Sequence, residues 1–254
     1  MRNILKERLE AGDAVIGIFV QMGHPEVTEM LSHAGFDWLI IDGEHGPFGI
    51  ETMQTMLQAM SGTKTVPIIR VPWNDPVYIK QALDIGAYGL LIPLISSGKE
   101  AESAVRAMRY PPTGIRGVGP RRASRYYLDF QEYITTADKE VFTIIQIETK
   151  EAVEKIEEIL SVDGIDAYFV GPMDLSAALG HIGEVNHPDV RNAITKILKA
   201  GDKTKKVGGI YSFNPEDARN RLQQGFKFIS LGSDLRLLLG SAQEFLKKVR
   251  EVRK

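Results

Sequence analysis

The chain has 254 residues, 43% hydrophobic and 25% charged, with 31 Lys and Arg against 33 Asp and Glu and no cysteine. This composition supports an ordinary hydrophobic core and excludes a disulfide scaffold, a thiolate metal site and a cysteine nucleophile. A net charge of −2 gives no electrostatic drive toward nucleic acid or an acidic membrane, and no apolar run reaches the roughly 18 residues of a membrane span.

The N-terminal stretch MRNILKERLEAGDAV is charged throughout and lacks the apolar centre of a secretion signal, so a cytoplasmic location is expected. A first strand is predicted at 14–20 (AVIGIFV) and a helix at 25–34, where Pro25 suits the first turn and Gly35 the stop. Further strands follow at 37–42, 66–71 and 88–92, with a helix at 75–85 that Asp75 caps and Gly86 closes. The second half predicts strands at 141–147, 165–170, 206–210 and 226–231, with helices at 150–160 and 215–224. The runs are rich in Ile and Val and apolar on both faces, as parallel strands covered on both sides must be. They recur about every 30 residues, the length of a βα unit.

Eight such units allow a (β/α)8 barrel or a doubly wound open sheet. The length favours the barrel, and no GxGxxG follows the first strand. The expectation is therefore a single (β/α)8 TIM barrel domain spanning 1–254. One step is long: residues 110–140 form an insertion between strands four and five, rich in Gly, Pro, Arg and Tyr. Its Arg116, Arg121, Arg122 and Arg125 read as solvated or interface arginines in preference to an anion site. Residues 234–250 (DLRLLLGSAQEFLKKVR) form a closing helix with more leucines than one buried face needs, which points to packing against another subunit.

Barrel enzymes carry their chemistry at the carboxyl ends of strands. Strand two runs into Asp42-Gly43-Glu44-His45-Gly46, strand three ends at Arg70, strand five at Gln146-Ile147-Glu148, and strand six at Gly171-Pro172-Met173-Asp174. Gln146 and Glu148 share a side of their strand. Glu148 and Asp174 come from neighbouring strands at similar heights, where two carboxylates repel unless a cation lies between them. Oxygen-only ligands favour a hard divalent ion such as Mg²⁺ or Mn²⁺. The structural alternative, in which Asp174 merely caps the helix after it, has equal weight on spacing alone. His45 is either a base steadied by nearby acids or a surface-loop histidine. Arg70 either meets a substrate anion or makes an ion pair with Asp42 or Glu44. His24, His33, His181 and His187 each read as ordinary residues without a catalytic role, with bordering the site a further option for His181 and His187 on the loop after Asp174. Strands two to six carry no lysine, which disfavours imine chemistry.

The sequence resembles the HpcH/HpaI aldolase family of metal-dependent pyruvate aldolases. The resemblance runs through IIDGEHGP (40–47), IIRVPWNDP (68–76), AMRYPPTGIRGVGP (107–120), IIQIETKEAVEKIEEIL (144–160) and GIDAYFVGPMDLSAALG (164–180), covering nearly the whole chain. It implies a barrel that assembles as a homohexamer with the last helix exchanged between partners. It also implies reversible aldol cleavage of a 4-hydroxy-2-oxo acid to pyruvate and an aldehyde with Mg²⁺, Mn²⁺ or Co²⁺. By position it matches Glu148 and Asp174 with metal ligands, His45 with the base and Arg70 with the group that steadies the enolate. Gln146 matches a substrate contact and Asp84 an acid that raises the basicity of the histidine. Asp84 ends a helix at the opposite face of the barrel, so that role requires reach from a neighbouring subunit. Met173 stands where the family has a small residue beside the substrate, and Phe19 where an aromatic wall meets the aldehyde. The competing readings are a CoA-ester lyase of the citrate lyase β or malyl-CoA type, an oxaloacetate decarboxylase, and a non-catalytic barrel scaffold.

Overall fold

Eight short apolar runs become the eight strands of a closed parallel barrel, paired in sequence order with β1 joined to β8. The computed structural model describes residues 2–251. The strands are β1 (Val15–Val20), β2 (Trp38–Asp42), β3 (Val66–Arg70), β4 (Gly89–Ile92), β5 (Phe142–Ile147), β6 (Ala167–Val170), β7 (Val207–Ser212) and β8 (Phe228–Ser233). The helices that intervene are α1 (Ile4–Glu10), α2 (Pro25–Ser32), α3 (Ile50–Ala59), α4 (Pro76–Asp84), α5 (Gly98–Met108) and α6 (Phe130–Glu140). They continue as α7 (Lys150–Glu154), α8 (Ile156–Leu160), α9 (Pro172–Ala178), α10 (Pro188–Thr204), α11 (Pro215–Gln224) and α12 (Asp234–Glu251).

Local chemistry sets the helix starts. Pro opens α2, α4, α9, α10 and α11, where its missing N–H costs nothing. Asp75 and Asn214 accept backbone N–H groups as N-caps, and so do the rings of His24 and His187 through Nδ1. The helix expected at 150–160 is two short helices that meet at Lys155.

Two apolar clusters follow from strand parity. One fills the layer between strands and helices, with Ile41, Ile69, Ile145 and Val170 facing outward to it. The other fills the barrel, with Trp38, Ile40, Ile68, Phe142, Phe169 and Phe228. Leu5 and Leu9 of α1 join the inner cluster, so α1 plugs the amino-terminal end. Asn3, its cap, also donates from Nδ2 to the carbonyls of Tyr88 and Glu140 at 2.9 Å. Gly17 is required for this filling, because a Cβ there would lie 2.0 Å from the Trp38 ring. The Trp38 and Phe228 rings lie 4.4 Å apart, and Phe228 meets Phe169 edge-on at 5.7 Å. The aromatic column continues upward from Phe169 through Phe19 to Tyr211 and Phe213.

The segment expected as an insertion is a run of turns ending in α6, the helix that precedes β5. Its arginines correct the solvated reading in part. Arg116 is buried, donating to Asp84 Oδ1 at 2.7 Å and lying over the Tyr110 and Tyr133 rings. Arg122 donates to the carbonyls of Ile85 and Leu57, tying the segment to the amino-terminal end of the barrel. Arg125 pairs with Asp129 at the surface. Helix α12 leaves Leu235, Leu238, Leu239, Phe245, Leu246 and Val249 exposed. No helix among the described residues is long and apolar enough to cross a membrane.

Candidate active site

The strand ends that the sequence singled out converge on a cavity of about 260 Å³ at the carboxyl-terminal mouth of the barrel, lined in part by Phe19, His45, Arg70, Gln146, Met173 and Asp174. Size does not select it. A larger cleft of about 730 Å³ opens at the amino-terminal end beside Tyr88 and Arg122, and its acid, Asp129, is already paired with Arg125.

Asp42 organises the floor. It stands opposite Arg70 in the register of β2 and β3, so the two side chains point the same way. Arg70 donates from Nε to Oδ1 at 2.9 Å and from Nη2 to Oδ2 at 2.6 Å. Asp42 also accepts from Gln21 Nε2 and from the N–H groups of Glu44 and His45, which shapes the loop carrying the histidine. Burial alone would push the Asp42 carboxyl up, but the hydrogen bonds and charge of Arg70 outweigh it and hold the group below the usual carboxylate range. Glu44 Oε2 lies 2.8 Å from Arg70 Nη1 and 4.0 Å from His45 Nε2. Its carboxyl is raised, by burial first and by the charges of Asp42 and Asp174, against the pull of Arg70. Arg70 therefore makes the ion pairs of the structural alternative and still lines the cavity, its Cζ 5.0 Å from the Phe19 ring centroid.

The two carboxylates matched with metal ligands meet beside Gly171. A Cβ at that glycine would lie 3.2 Å from Glu148 Oε2, 3.3 Å from Gln146 Nε2 and 3.5 Å from Asp174 Oδ2. Gly171 thus keeps open the space the acids share. Glu148 is held from one side, Oε1 accepting the Leu94 N–H at 2.8 Å, while Gln146 Nε2 donates to Oε2. Burial, with the charges of Glu44 and Asp174, pushes the Glu148 carboxyl up to about 7 against these two hydrogen bonds. Asp174 is not the cap of α9. Gly171 holds that position and Asp174 is the third helical residue. The buried Gln146 Oε1 has no hydrogen-bond partner among the described residues. Two convergent carboxylate oxygens, with the neighbouring guanidinium already paired to Asp42 and Glu44, fit a hard divalent cation.

Several residues fall outside this constellation. Asp84 closes α4, pairs with Arg116 and does not line the cavity. Burial raises its carboxyl against the pull of Arg116. His181 and His187 do not line the cavity either. Their rings stack 3.4 Å apart beside Asp189, and the three ligand atoms lie within 4.8 Å of one another. His187 Nδ1 is committed to capping α10, and parallel rings do not aim their in-plane lone pairs at one point. Sequence reasoning missed Gln21, Tyr211, Phe213 and Arg236 as cavity residues and Asp234 as a clamp. The buried Asp234 carboxylate accepts the N–H groups of Gln21 and Met22, at 3.0 Å and 2.8 Å.

Comparison with known proteins shows the family and supports the fold. The HpcH/HpaI aldolase/citrate lyase family model matches residues 15–240. A 4-hydroxy-2-oxo-heptane-1,7-dioate aldolase from Klebsiella pneumoniae is 44% identical over 96% of this chain and 92% of its own. A 5-keto-4-deoxy-D-glucarate aldolase from Escherichia coli O6:H1 is 41% identical over 95% of this chain and 94% of its own. A crystal structure of an HpcH/HpaI aldolase/citrate lyase family protein from Burkholderia cenocepacia superposes with a TM-score of 0.95 at 36% identity, covering 98% of this chain and 99% of that one. On this match the chain is a member of the HpcH/HpaI aldolase/citrate lyase family.

Proposed function

We propose that this chain is a carbon–carbon lyase that reversibly cleaves a 4-hydroxy-2-oxo acid to pyruvate and an aldehyde, with Glu148 and Asp174 holding Mg²⁺, Mn²⁺ or Co²⁺. The observation that carries the reading is the convergence of Glu148 Oε2 and Asp174 Oδ2 on the space kept open by Gly171. Such a cation, when bound, draws electron density from the 2-oxo carbonyl as a Lewis acid.

The protein groups supply the rest. His45, on a loop ordered by Asp42, takes the proton of the 4-hydroxyl. The C3–C4 bond then breaks, the carbonyl of the aldehyde forms, and the bonding pair passes to the enolate of pyruvate. Arg70, locked by Asp42 and Glu44, holds the enolate oxygen without reorganising during the reaction. Return of a proton to C3 completes pyruvate, and the reverse sequence makes the new bond. Gln146 offers its unpartnered Oε1 to the substrate. Phe19 and Met173 bound the space for the aldehyde. Asp84 reaches a histidine only from a neighbouring subunit, and the exposed leucines of α12 support a homo-oligomer with this helix packed on or exchanged with a partner. The substrates are small molecules, and the net charge of −2 favours no nucleic-acid partner.

The decisive experiment is exchange of the C3 protons of pyruvate for deuterium, with and without each of the three metals, followed by condensation with a panel of aldehydes. Metal-dependent exchange that EDTA abolishes is expected. Absence of exchange with all three removes the proposal, and pyruvate release from oxaloacetate without any aldehyde reaction replaces it with a decarboxylase.

A further inference from the structure

The Asp42–Arg70 pair is not held by its own two strands alone. Gln21 follows β1 directly, two residues after the inward-facing Phe19, so its side chain leaves on the same side and lines the cavity with His45 and Arg70. Val20 pairs with Ile41 in the register of β1 and β2, which sets Gln21 beside Asp42, and Gln21 Nε2 donates to Asp42 Oδ2 at 2.9 Å. The backbone of Gln21 is fixed from the other end of the chain. Its N–H donates to Asp234 Oδ1 at 3.0 Å and the Met22 N–H to Oδ2 at 2.8 Å, and Asp234 is buried.

The two oxygens of Asp42 are held unequally. Oδ1 accepts from Arg70 Nε and from the N–H groups of Glu44 and His45. Oδ2 accepts from Arg70 Nη2 at 2.6 Å and from Gln21 Nε2, the one donor among the described residues that reaches this oxygen from outside β2 and β3. Glu44 draws on the other end of the guanidinium, its Oε2 2.8 Å from Nη1. Without the amide of Gln21, Oδ2 is held by Arg70 alone, and the pair is free to turn toward Glu44. A donor that stabilises developing charge works by being aimed before the charge appears. Loosening it therefore costs the transition state more than the bound ketoacid.

We propose that Gln21 is a positioning residue for enolate formation, holding Asp42 and through it the Arg70 guanidinium, an inference that rests on the aldolase reading above. The test follows metal-dependent exchange of the C3 protons of pyruvate at about pH 8 in Q21L and Q21E, with the urea midpoint of each variant as a check on folding. Q21L keeps the bulk and loses the donor. Its kcat for exchange is expected to fall about 10-fold, the order for one hydrogen bond to a charged group, with KM for pyruvate within about twofold of wild type. Q21E keeps the shape but turns a carboxylate toward Asp42, and its kcat is expected to lie at least about threefold below that of Q21L. Near pH 6 the ratio of Q21E to Q21L is expected to rise, because the protonated carboxyl donates to Asp42 as the amide does. Q21M, which also lacks a donor, takes the place of Q21L if that variant does not fold. A wild-type kcat in Q21L or Q21E, or a loss carried wholly by KM, overturns the assignment while exchange by the wild type keeps the aldolase reading standing. Absence of exchange in the wild type with all three metals overturns both.

Discussion

The metal-free protein allows the carboxylate cluster to be tested without any substrate. Glu148 is 3% exposed, and burial first, then the charges of Glu44 and Asp174, push its carboxyl from 4.5 up to about 7. An acid raised on folding contributes stability that is complete below its unfolded value and is lost as pH rises through the folded value. The window therefore runs from about 4.5 to about 7. Each tenfold weakening of an acid corresponds to about 1.36 kcal/mol, so ionisation of Glu148 costs the metal-free site about 3 kcal/mol. E148Q removes that cost and keeps the shape. Its amide oxygen still accepts the Leu94 N–H, and its new NH₂ faces Gln146. Gln146 can rotate its amide to present Oε1, which now has no partner, so the exchange leaves no donor facing a donor. Urea unfolding in EDTA between pH 5 and 8 should show the variant gaining about 2.5 kcal/mol on the wild type as pH rises, with most of the gain below pH 7. Added Mn²⁺ should then raise the wild-type midpoint and leave that of the variant where it was. A difference between the two proteins that stays flat with pH would refute the reasoning, because the carboxylate would then be as well solvated folded as unfolded.

The Asp42 hub offers a sharper structural test. Oδ1 and Oδ2 both face donors only, so neither orientation of an amide fits, and D42N should cost about 3–5 kcal/mol in urea unfolding, the range for a broken buried pair; a loss under about 1 kcal/mol contradicts the network. His45 is exposed and its side chain supports no other element, so H45A should melt with the wild type while turnover falls by about 10²- to 10⁴-fold. Turnover that survives H45A would exclude it as the base.

What the sequence disclosed and what it withheld divide along a physical line. The strands were legible because both faces of each are buried, so Ile and Val accumulate wherever the barrel wall runs; the run expected at 226–231 begins at Phe228, and the one at 165–170 at Ala167. Positions fixed by strand parity were equally legible. Gln146 and Glu148 share a side, Asp42 and Arg70 share a register, and Gln146 and Arg70 line the mouth. The arginines of the long segment were not legible, because the acid that buries Arg116 is Asp84, thirty-two residues away, and nothing local distinguishes it from a solvated arginine. Nothing near Asp234 in the sequence shows what its charge meets. Its carboxylate is consumed by the N–H groups of Gln21 and Met22, more than two hundred residues earlier, because β8 closes on β1. The same closure brings Arg236 over Phe213 and into the cavity of His45. The groups that a single strand positions follow from spacing. The groups that meet only where the barrel seals depend on a contact between the two ends of the chain.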